Sequence, residues 1–196
     1  MSKLTFELKR KAVHIFGLLY VLYYWLALKY LDSHQIGILI LLTFIVFFIA
    51  VDYFRIIKNK RIPIVQFLWR KKEKDVLGGQ VYYVLGITIA LAFFEFQIAL
   101  AVILMTVLGD TAAAIFGIAF GKHWIKKLKD TAWEGIIAEF VVDLIIGYLI
   151  IGNWYIIIPM ALVATFVETV FTHIDDNLSI SLFAGFTGQV IKLFIK

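Results

Sequence analysis

The sequence has no cysteine, only 2 prolines and few charges for its 196 residues. The missing cysteines exclude a disulfide scaffold, a cysteine-ligated zinc site and a cysteine nucleophile. The scarcity of proline, together with only 13 glycines, excludes collagen-like and proline-rich low-complexity chains. Charged residues make up 17% of the chain, against about a quarter in a typical soluble domain. The chain therefore has little polar surface to offer to water.

Apolar residues are abundant instead. They make up 62% of the sequence, and the mean hydropathy is +0.92, whereas a soluble domain is roughly 45–50% apolar. A water-soluble globule of this size cannot bury so much apolar surface, and disordered chains are polar and charged. The apolar runs are continuous, which is typical of helices. The composition predicts an all-α, polytopic integral membrane protein that forms a single domain over residues 1–196.

Seven apolar runs are candidates for transmembrane helices, each of which needs about 20 mostly apolar residues. They cover residues 12–29, 35–54, 76–94, 97–121, 134–151, 154–172 and 181–195. Polar residues interrupt the fifth run. The last run is short and contains Gly185, Gly188 and Gln189, so a spanning helix and a re-entrant segment are both open for it.

Basic residues are distributed unevenly between the connections. Of the 19 Lys and Arg residues, four precede the first run, eight follow the second and four follow the fourth. With seven spans these three segments lie on one side, and the positive-inside rule places that side and the N-terminus in the cytoplasm. The basic connections also favour contact with anionic membrane lipids. Nucleic-acid binding is not favoured, because topology already accounts for the basic residues.

Several ionisable side chains lie within or beside the apolar runs, where they are costly and usually functional. The predicted topology brings most of them to the cytoplasmic side of the membrane. His14 opens the first span, Asp110 lies in the cytoplasmic half of the fourth, and Glu168 lies in the last turns of the sixth. Asp175 and Asp176 follow directly. Convergence on one leaflet indicates a shared polar site.

The spacing of the carboxylates suggests the ligand. Glu139 and Asp143 are four residues apart and share a helix face. Clustered carboxylates repel one another unless a cation neutralises them, and oxygen donors suit Mg²⁺, which usually binds one or two carboxylates together with phosphate oxygens. We therefore expect a Mg²⁺-nucleotide, with lysines of the 122–129 segment facing its phosphates. The expected metal ligands come from Asp110, Glu168, Asp175 and Asp176.

Small residues dominate the segment around Asp110. Gly117 and Gly121 form a GxxxG pair, which is typical of close helix packing and is compatible with a homodimer. Residues 117–122 read GIAFGK and lack the spacing and the Ser or Thr of a Walker A loop. The protein-kinase catalytic-loop signatures are absent from the sequence as well.

Five sequence blocks are diagnostic when taken together. They are GDTAAAIFGIAFGK at 109–122, AWEG at 132–135, ETVFTHIDDNLSI at 168–180, ELKRKAVHIFG at 7–17 and GGQVYYVLG at 78–86. The blocks resemble the polyprenol kinase family, which includes dolichol kinase, phytol kinase and the CTP-dependent diacylglycerol kinase. They occur in the family's order and extend over nearly the whole chain.

The resemblance implies an enzyme that transfers the γ-phosphate of CTP to a polyprenol, dolichol-type or related lipid alcohol at the cytoplasmic membrane interface. It implies catalytic roles for Asp110, Asp175 and His14, and we expect a carboxylate to accept the hydroxyl proton. The implied nucleotide-binding residues lie in or beside the matching blocks: Arg10, Lys11, Gly109, Lys122, Lys129, Thr131, Glu134, Gly135 and Asn177.

One block departs from the family's pattern, which has Lys-Thr, one further residue, then Glu-Gly. Here Lys129 and Thr131 are displaced, with an extra residue before Glu134. A local bulge would restore the register, Lys126 or Lys127 would substitute, or the chain is a catalytically inactive relative.

Two other functions remain open. Phosphatidate cytidylyltransferases share the Trp-Glu-Gly block and use CTP, but their C-terminal histidine and aspartate signature is missing from this sequence. A lipid or ion transporter also concentrates carboxylates in its helices, but it places them near the midplane with access from both sides.

Overall fold

The computed structural model describes Lys11 and residues 14–57, 76–125, 128, 131–171 and 174–195. The regular secondary structure of these ranges is helical, apart from one isolated β-bridge between Trp124 and Ala132. The prediction of an all-α protein is thereby confirmed. The helices are α1 (Leu19–Leu31), α2 (His34–Ile56), α3 (Gly79–Phe93), α4 (Phe96–Leu104), a π-helical segment (Met105–Gly109), α5 (Asp110–Phe120), α6 (Trp133–Ile150), α7 (Trp154–Val170) and α8 (Asp176–Phe194).

Among the described residues, three helical segments are long and apolar enough to cross a membrane: His14–Leu31, His34–Ile56 and Phe96–Phe120. They match the first, second and fourth predicted spans. The segment Phe96–Phe120 is one continuous rod made of α4, the π-helical segment and α5. The apolar helices α3 and α7 are shorter. Seven membrane crossings and a cytoplasmic N-terminus stay predictions.

The last apolar run is one uninterrupted helix. It begins at Asp176 rather than at residue 181, because Asp175 caps its N-terminus by accepting a hydrogen bond from the Asn177 backbone N–H. The 19 residues of α8 rise about 28 Å, close to the hydrocarbon thickness of a bilayer. This helix is not among the candidate spans found in the described part of the chain, and the choice between a span and a re-entrant segment stays a prediction.

Polar contacts mark the two ends of the bundle. At one end of the bundle, Asp52 near the end of α2 pairs with Arg55 at 2.8 Å and accepts a hydrogen bond from the Gly78 N–H, directly before α3. At the opposite end, the Glu95 carboxylate forms an ion pair with the Lys192 ammonium at 2.6 Å. We call the first the loop end, because the 121–132 loop lies there, and the second the distal end.

The surface of the bundle is strongly apolar. Along α2, for example, Leu39, Val46 and Phe47 are each more than half exposed. A soluble monomer rarely exposes such a continuous apolar surface, whereas a membrane protein presents one to lipid. The exposed apolar faces and the three long helices are those of a membrane protein.

Candidate functional site

A buried ion pair lies at the centre of the loop-end half of the bundle. The Lys11 ammonium contacts the Asp110 carboxylate, and the two residues are 1% and 6% exposed. Asp110 begins α5 immediately after the π-helical turn Met105–Gly109. Short π segments inside longer helices are frequent at functional sites, because the extra residue re-aims the side chains that follow.

Three further carboxylates surround this pair. Glu139 and Asp143, on neighbouring turns of α6, are 1% and 0% exposed. Glu139 lies within electrostatic range of Asp110, Asp143 and Glu168. Neither carboxylate oxygen of Asp143 makes a hydrogen bond to a described residue. Glu139 and Asp143 therefore lie on one face of α6, as their spacing predicts, and this face points into the bundle toward Asp110.

Gly109 makes room for this arrangement. A β-carbon at position 109 would overlap Oδ1 of Asp143, so only a glycine lets the carboxylate lie against the rod there. The predicted contact between Gly109 and a nucleotide stays a prediction, and the structure adds a packing reason for this glycine.

His14 is buried against α3. Its ring centroid lies 5.2 Å from that of Tyr83, and the Tyr83 hydroxyl donates a 3.0 Å hydrogen bond to the His14 carbonyl. Tyr83 is 1% exposed. These contacts hold the start of the first helical segment beside α3, three residues after Lys11.

The start of α8 forms a compact polar cap. The Asn177 side-chain amide donates to Asp175 at 2.6 Å and to Asp176 at 3.2 Å. Asn177 is 1% exposed, and its Oδ1 has no hydrogen-bond partner among the described residues. Asp176 lies within electrostatic range of Glu168 at the end of α7. The three predicted residues of this block therefore lie together, next to the buried carboxylates.

A loop between α5 and α6 lies over this end of the bundle. Its two arms meet at the Trp124–Ala132 bridge, and the Ile125 N–H donates to the Thr131 carbonyl at 3.0 Å. Glu134 secures the loop, because it pairs with Nδ1 of His123 at 2.7 Å and accepts from the His123 N–H. Lys122 is exposed at the start of the loop.

Glu134 and Gly135, in the first turn of α6, make different contacts. Glu134 faces the loop, whereas Gly135 packs against α5, where a β-carbon would come within 2.7 Å of the Ala113 carbonyl and 3.3 Å of the Gly117 α-carbon. The small residues of the GDTAAAIFGIAFGK block thus permit close helix packing, as the GxxxG spacing predicts. Arg10 and Lys129, both predicted nucleotide ligands, lie outside the described residues.

The donor set fits the chemistry of Mg²⁺. Within the described ranges, no group of three or more His, Asp or Glu side chains is arranged to hold a metal ion by itself. Mg²⁺ normally takes one or two carboxylates, with nucleotide phosphates and water completing its shell. The half-buried Glu168, Asp175 and Asp176 and the buried Asp110 offer oxygen ligands of this type.

Sequence reasoning left three buried residues out of the predicted site: Tyr83, Glu139 and Asp143. The spacing of the two acids places them on one helix face but does not identify that face as internal. Tyr83 belongs to a conspicuous Tyr-Tyr pair, yet only the packing of α3 identifies it as the buried member.

The chain is similar to several curated lipid kinases. It is 31% identical over 136 residues to the chloroplastic farnesol kinase of Arabidopsis thaliana, covering 61% of this chain and 44% of that protein. It is 32% identical over 85 residues to CTP-dependent diacylglycerol kinase 1 of Saccharomyces cerevisiae, covering 43% and 29%. It is 31% identical over 85 residues to CTP-dependent diacylglycerol kinase 1 of Schizosaccharomyces pombe, and the match covers 43% of this chain and 39% of that protein.

The chain spans less than half the length of these relatives. No family model matches the sequence, and no solved structure is significantly similar. The sequence similarity to the named kinases nevertheless agrees with the motifs. The chain is therefore a relative of these kinases, and its resemblance to the polyprenol kinase family is confirmed.

Proposed function

We propose that this protein is a membrane-bound kinase that transfers the γ-phosphate of CTP to a polyprenol, dolichol-type or related lipid alcohol at the cytoplasmic membrane interface. The observation that carries the proposal is the buried Lys11–Asp110 pair, surrounded by carboxylates and lying at the same end of the bundle as a lysine-containing loop. The named relatives act on a diacylglycerol or on farnesol, and the former use CTP.

Phosphoryl transfer depends on positioning and charge neutralisation more than on covalent catalysis. Lys11, and the lysines of the 122–129 loop, supply positive charge for the nucleotide phosphates. The loop is held in place by Glu134 through His123, so this pair sets the position of Lys122 relative to the bundle.

The reaction has a defined balance of bonds. The lipid hydroxyl oxygen forms a bond to the γ-phosphorus, the bond from that phosphorus to the bridging oxygen breaks, and CDP leaves. The hydroxyl proton passes to a carboxylate, for which Asp110 and Asp175 are the candidates and His14 the alternative. Mg²⁺, held by residues among Asp110, Glu168, Asp175 and Asp176, would supply charge neutralisation at the phosphates.

A transfer assay in lipid nanodiscs tests this function. The purified protein would receive Mg²⁺ and γ-labelled CTP or ATP, with a polyprenol, geranylgeraniol, phytol or diacylglycerol as acceptor. Label in a lipid phosphate with CTP is the expected result. A parallel reaction with α-labelled CTP identifies cytidylyl transfer, and label in the lipid from that donor would overturn the kinase proposal in favour of a cytidylyltransferase.

Two controls complete the assay. Asp110→Asn should lower the transfer rate about 10²–10³-fold, whereas Glu95→Gln, at the distal end, should leave it unchanged. If no acceptor is labelled by either donor, the proposed activity is rejected, and nucleotide-independent lipid or ion flux in proteoliposomes becomes the next measurement.

A further inference from the structure

An apolar groove of about 470 Å³ runs along the outside of the bundle between α6 and α7. Ile136 and Phe140 form its α6 wall, and Leu162 and Phe166 line it from α7. Each of these side chains is apolar, and Phe166 is 58% exposed. The groove therefore opens sideways, toward the lipid, and offers an apolar ligand a path that does not cross water.

One end of the groove reaches the polar site. Thr169 lines the groove, and its Oγ1 is shielded from solvent beside the Glu168 carboxylate. Glu139, one residue before the lining residue Phe140, lies within electrostatic range of Glu168. A lipid whose chain occupies the groove would thus present its hydroxyl beside Glu168, one of the carboxylates that the proposed reaction uses.

The basic loop forms part of the groove wall. Ile125 and Leu128 contribute apolar side chains to it, and a hydrogen bond from the Leu128 N–H to the Ile125 carbonyl at 3.0 Å joins them. The same loop carries Lys122 on its exposed side. One segment therefore presents apolar residues to a lipid chain and cations to phosphate.

The dimensions of the groove indicate how much of a hydrocarbon chain it encloses. At roughly 30 Å³ for each methylene-sized group, close to the share of one water molecule in the liquid, 470 Å³ holds about fifteen carbons. From Leu162 to Val170 the helix rises about 12 Å, which is enough for a folded or partly extended chain of that size. A second acyl chain would have to remain in the bilayer.

We infer that this groove binds the hydrocarbon chain of a single-chain lipid alcohol and encloses about fifteen of the carbons next to its hydroxyl. The inference rests on the proposed kinase function and specifies its substrate. Leu162 and Phe140 lie at the end of the groove away from the loop, so they set the length of chain that is enclosed.

The test compares two identical substitutions. Leu162→Trp fills the far end of the groove, whereas Leu149→Trp changes a 74% exposed leucine of α6 that does not line it. With farnesol as acceptor, we expect Leu162→Trp to lower kcat/KM about tenfold, mainly through KM. Geraniol, one isoprene unit shorter, should lose less than about twofold, and Leu149→Trp should match the wild type with both alcohols.

Photolabelling provides a readout that does not depend on turnover. A diazirine analogue of farnesol, added to nanodiscs without nucleotide, should label peptides covering residues 133–140 and 162–170, and excess farnesol should compete. Labelling confined to other helices would overturn the inference. So would equal kinetics of the two tryptophan variants, or a wild-type preference for diacylglycerol over farnesol.

The two hypotheses fail separately. Wild-type protein that phosphorylates no lipid alcohol, but is labelled in the groove, would retain the binding site and reject the kinase. Wild-type protein that phosphorylates farnesol, but tolerates Leu162→Trp, would retain the kinase and reject the groove.

Discussion

The carboxylate of Asp143 lies directly against the α-carbon of Gly109, one residue before Asp110. This contact joins the π-helical turn of the central rod to α6. It also fixes how closely the buried carboxylates approach the Lys11–Asp110 pair, because any side chain at position 109 would displace Asp143.

Gly109→Ala should therefore destabilise the protein by about 1–3 kcal/mol, the usual cost of overpacking a buried contact. The midpoint of thermal unfolding in detergent measures the effect. Gly117→Ala is the matched control in the same rod, since a β-carbon there meets nothing closer than the Gly135 α-carbon at 3.8 Å. Combining Gly109→Ala with Asp143→Ala should recover part of the loss, and strict additivity of the two changes would contradict the contact.

Breaking the buried ion pair should separate stability from catalysis. Asp110→Asn leaves the buried Lys11 ammonium without the carboxylate that it contacts, so this change should cost about 3–5 kcal/mol. Lys11→Met removes the ammonium from the same contact and should also lower the stability. The double variant should regain much of that stability, yet its transfer rate should stay about 10²–10³-fold below the wild type, because the charges act on the phosphates. A double variant with near wild-type turnover would exclude the pair from the reaction.

The distal ion pair supplies the comparison for that experiment. Lys192 and Glu95 lie at 2.6 Å but are both partly exposed. Lys192→Met should therefore change the free energy of unfolding by less than about 1 kcal/mol and leave phosphate transfer intact.

Asp143→Asn should act in the opposite direction to Asp110→Asn. Both Asp143 oxygens are buried without a hydrogen-bond donor among the described residues, and burying such a group costs about 1–3 kcal/mol. Asp143 also lies within electrostatic range of Glu168 and Asp110, and an amide of the same volume removes the like-charge repulsion. We therefore expect a higher unfolding midpoint and a transfer rate within about twofold of the wild type. If Asp143→Asn lost phosphate transfer at an unchanged unfolding midpoint, Asp143 would instead take part in the reaction.

Glu134→Ala should loosen the loop without disturbing the bundle. The carboxylate holds His123 at 2.7 Å through Nδ1 and accepts the His123 N–H, so its removal should raise KM for CTP about tenfold with a smaller effect on kcat. Glu134→Gln keeps an acceptor oxygen and should recover part of the affinity. Initial rates over a range of CTP concentrations measure both values, and a fall in kcat alone would argue against a positioning role for Glu134.

Most residues of the candidate site were identifiable from the sequence, because they stand in recognisable blocks, and their roles stay predictions. Asp110, Asp175, Asp176 and Glu168 are ionisable residues in or beside apolar runs, and such positions are rarely occupied without a function. The structure places Asp110 in the bundle and the other three near its loop end. The inward orientation of Glu139 and Asp143 was not predictable, since α6 is apolar on nearly every face and periodicity cannot distinguish the protein interior from the lipid.

The sequence by itself determined that this protein is helical and built for a membrane. In lipid every backbone polar group must be satisfied within its own segment, so long apolar runs such as Phe96–Phe120 leave the chain little choice of structure. The tertiary structure alone decided that Lys11 meets Asp110, that Asp143 rests on Gly109 and that a groove opens between α6 and α7. Those contacts join segments far apart in the chain, and they depend on how helices pack side by side, which local pattern does not specify.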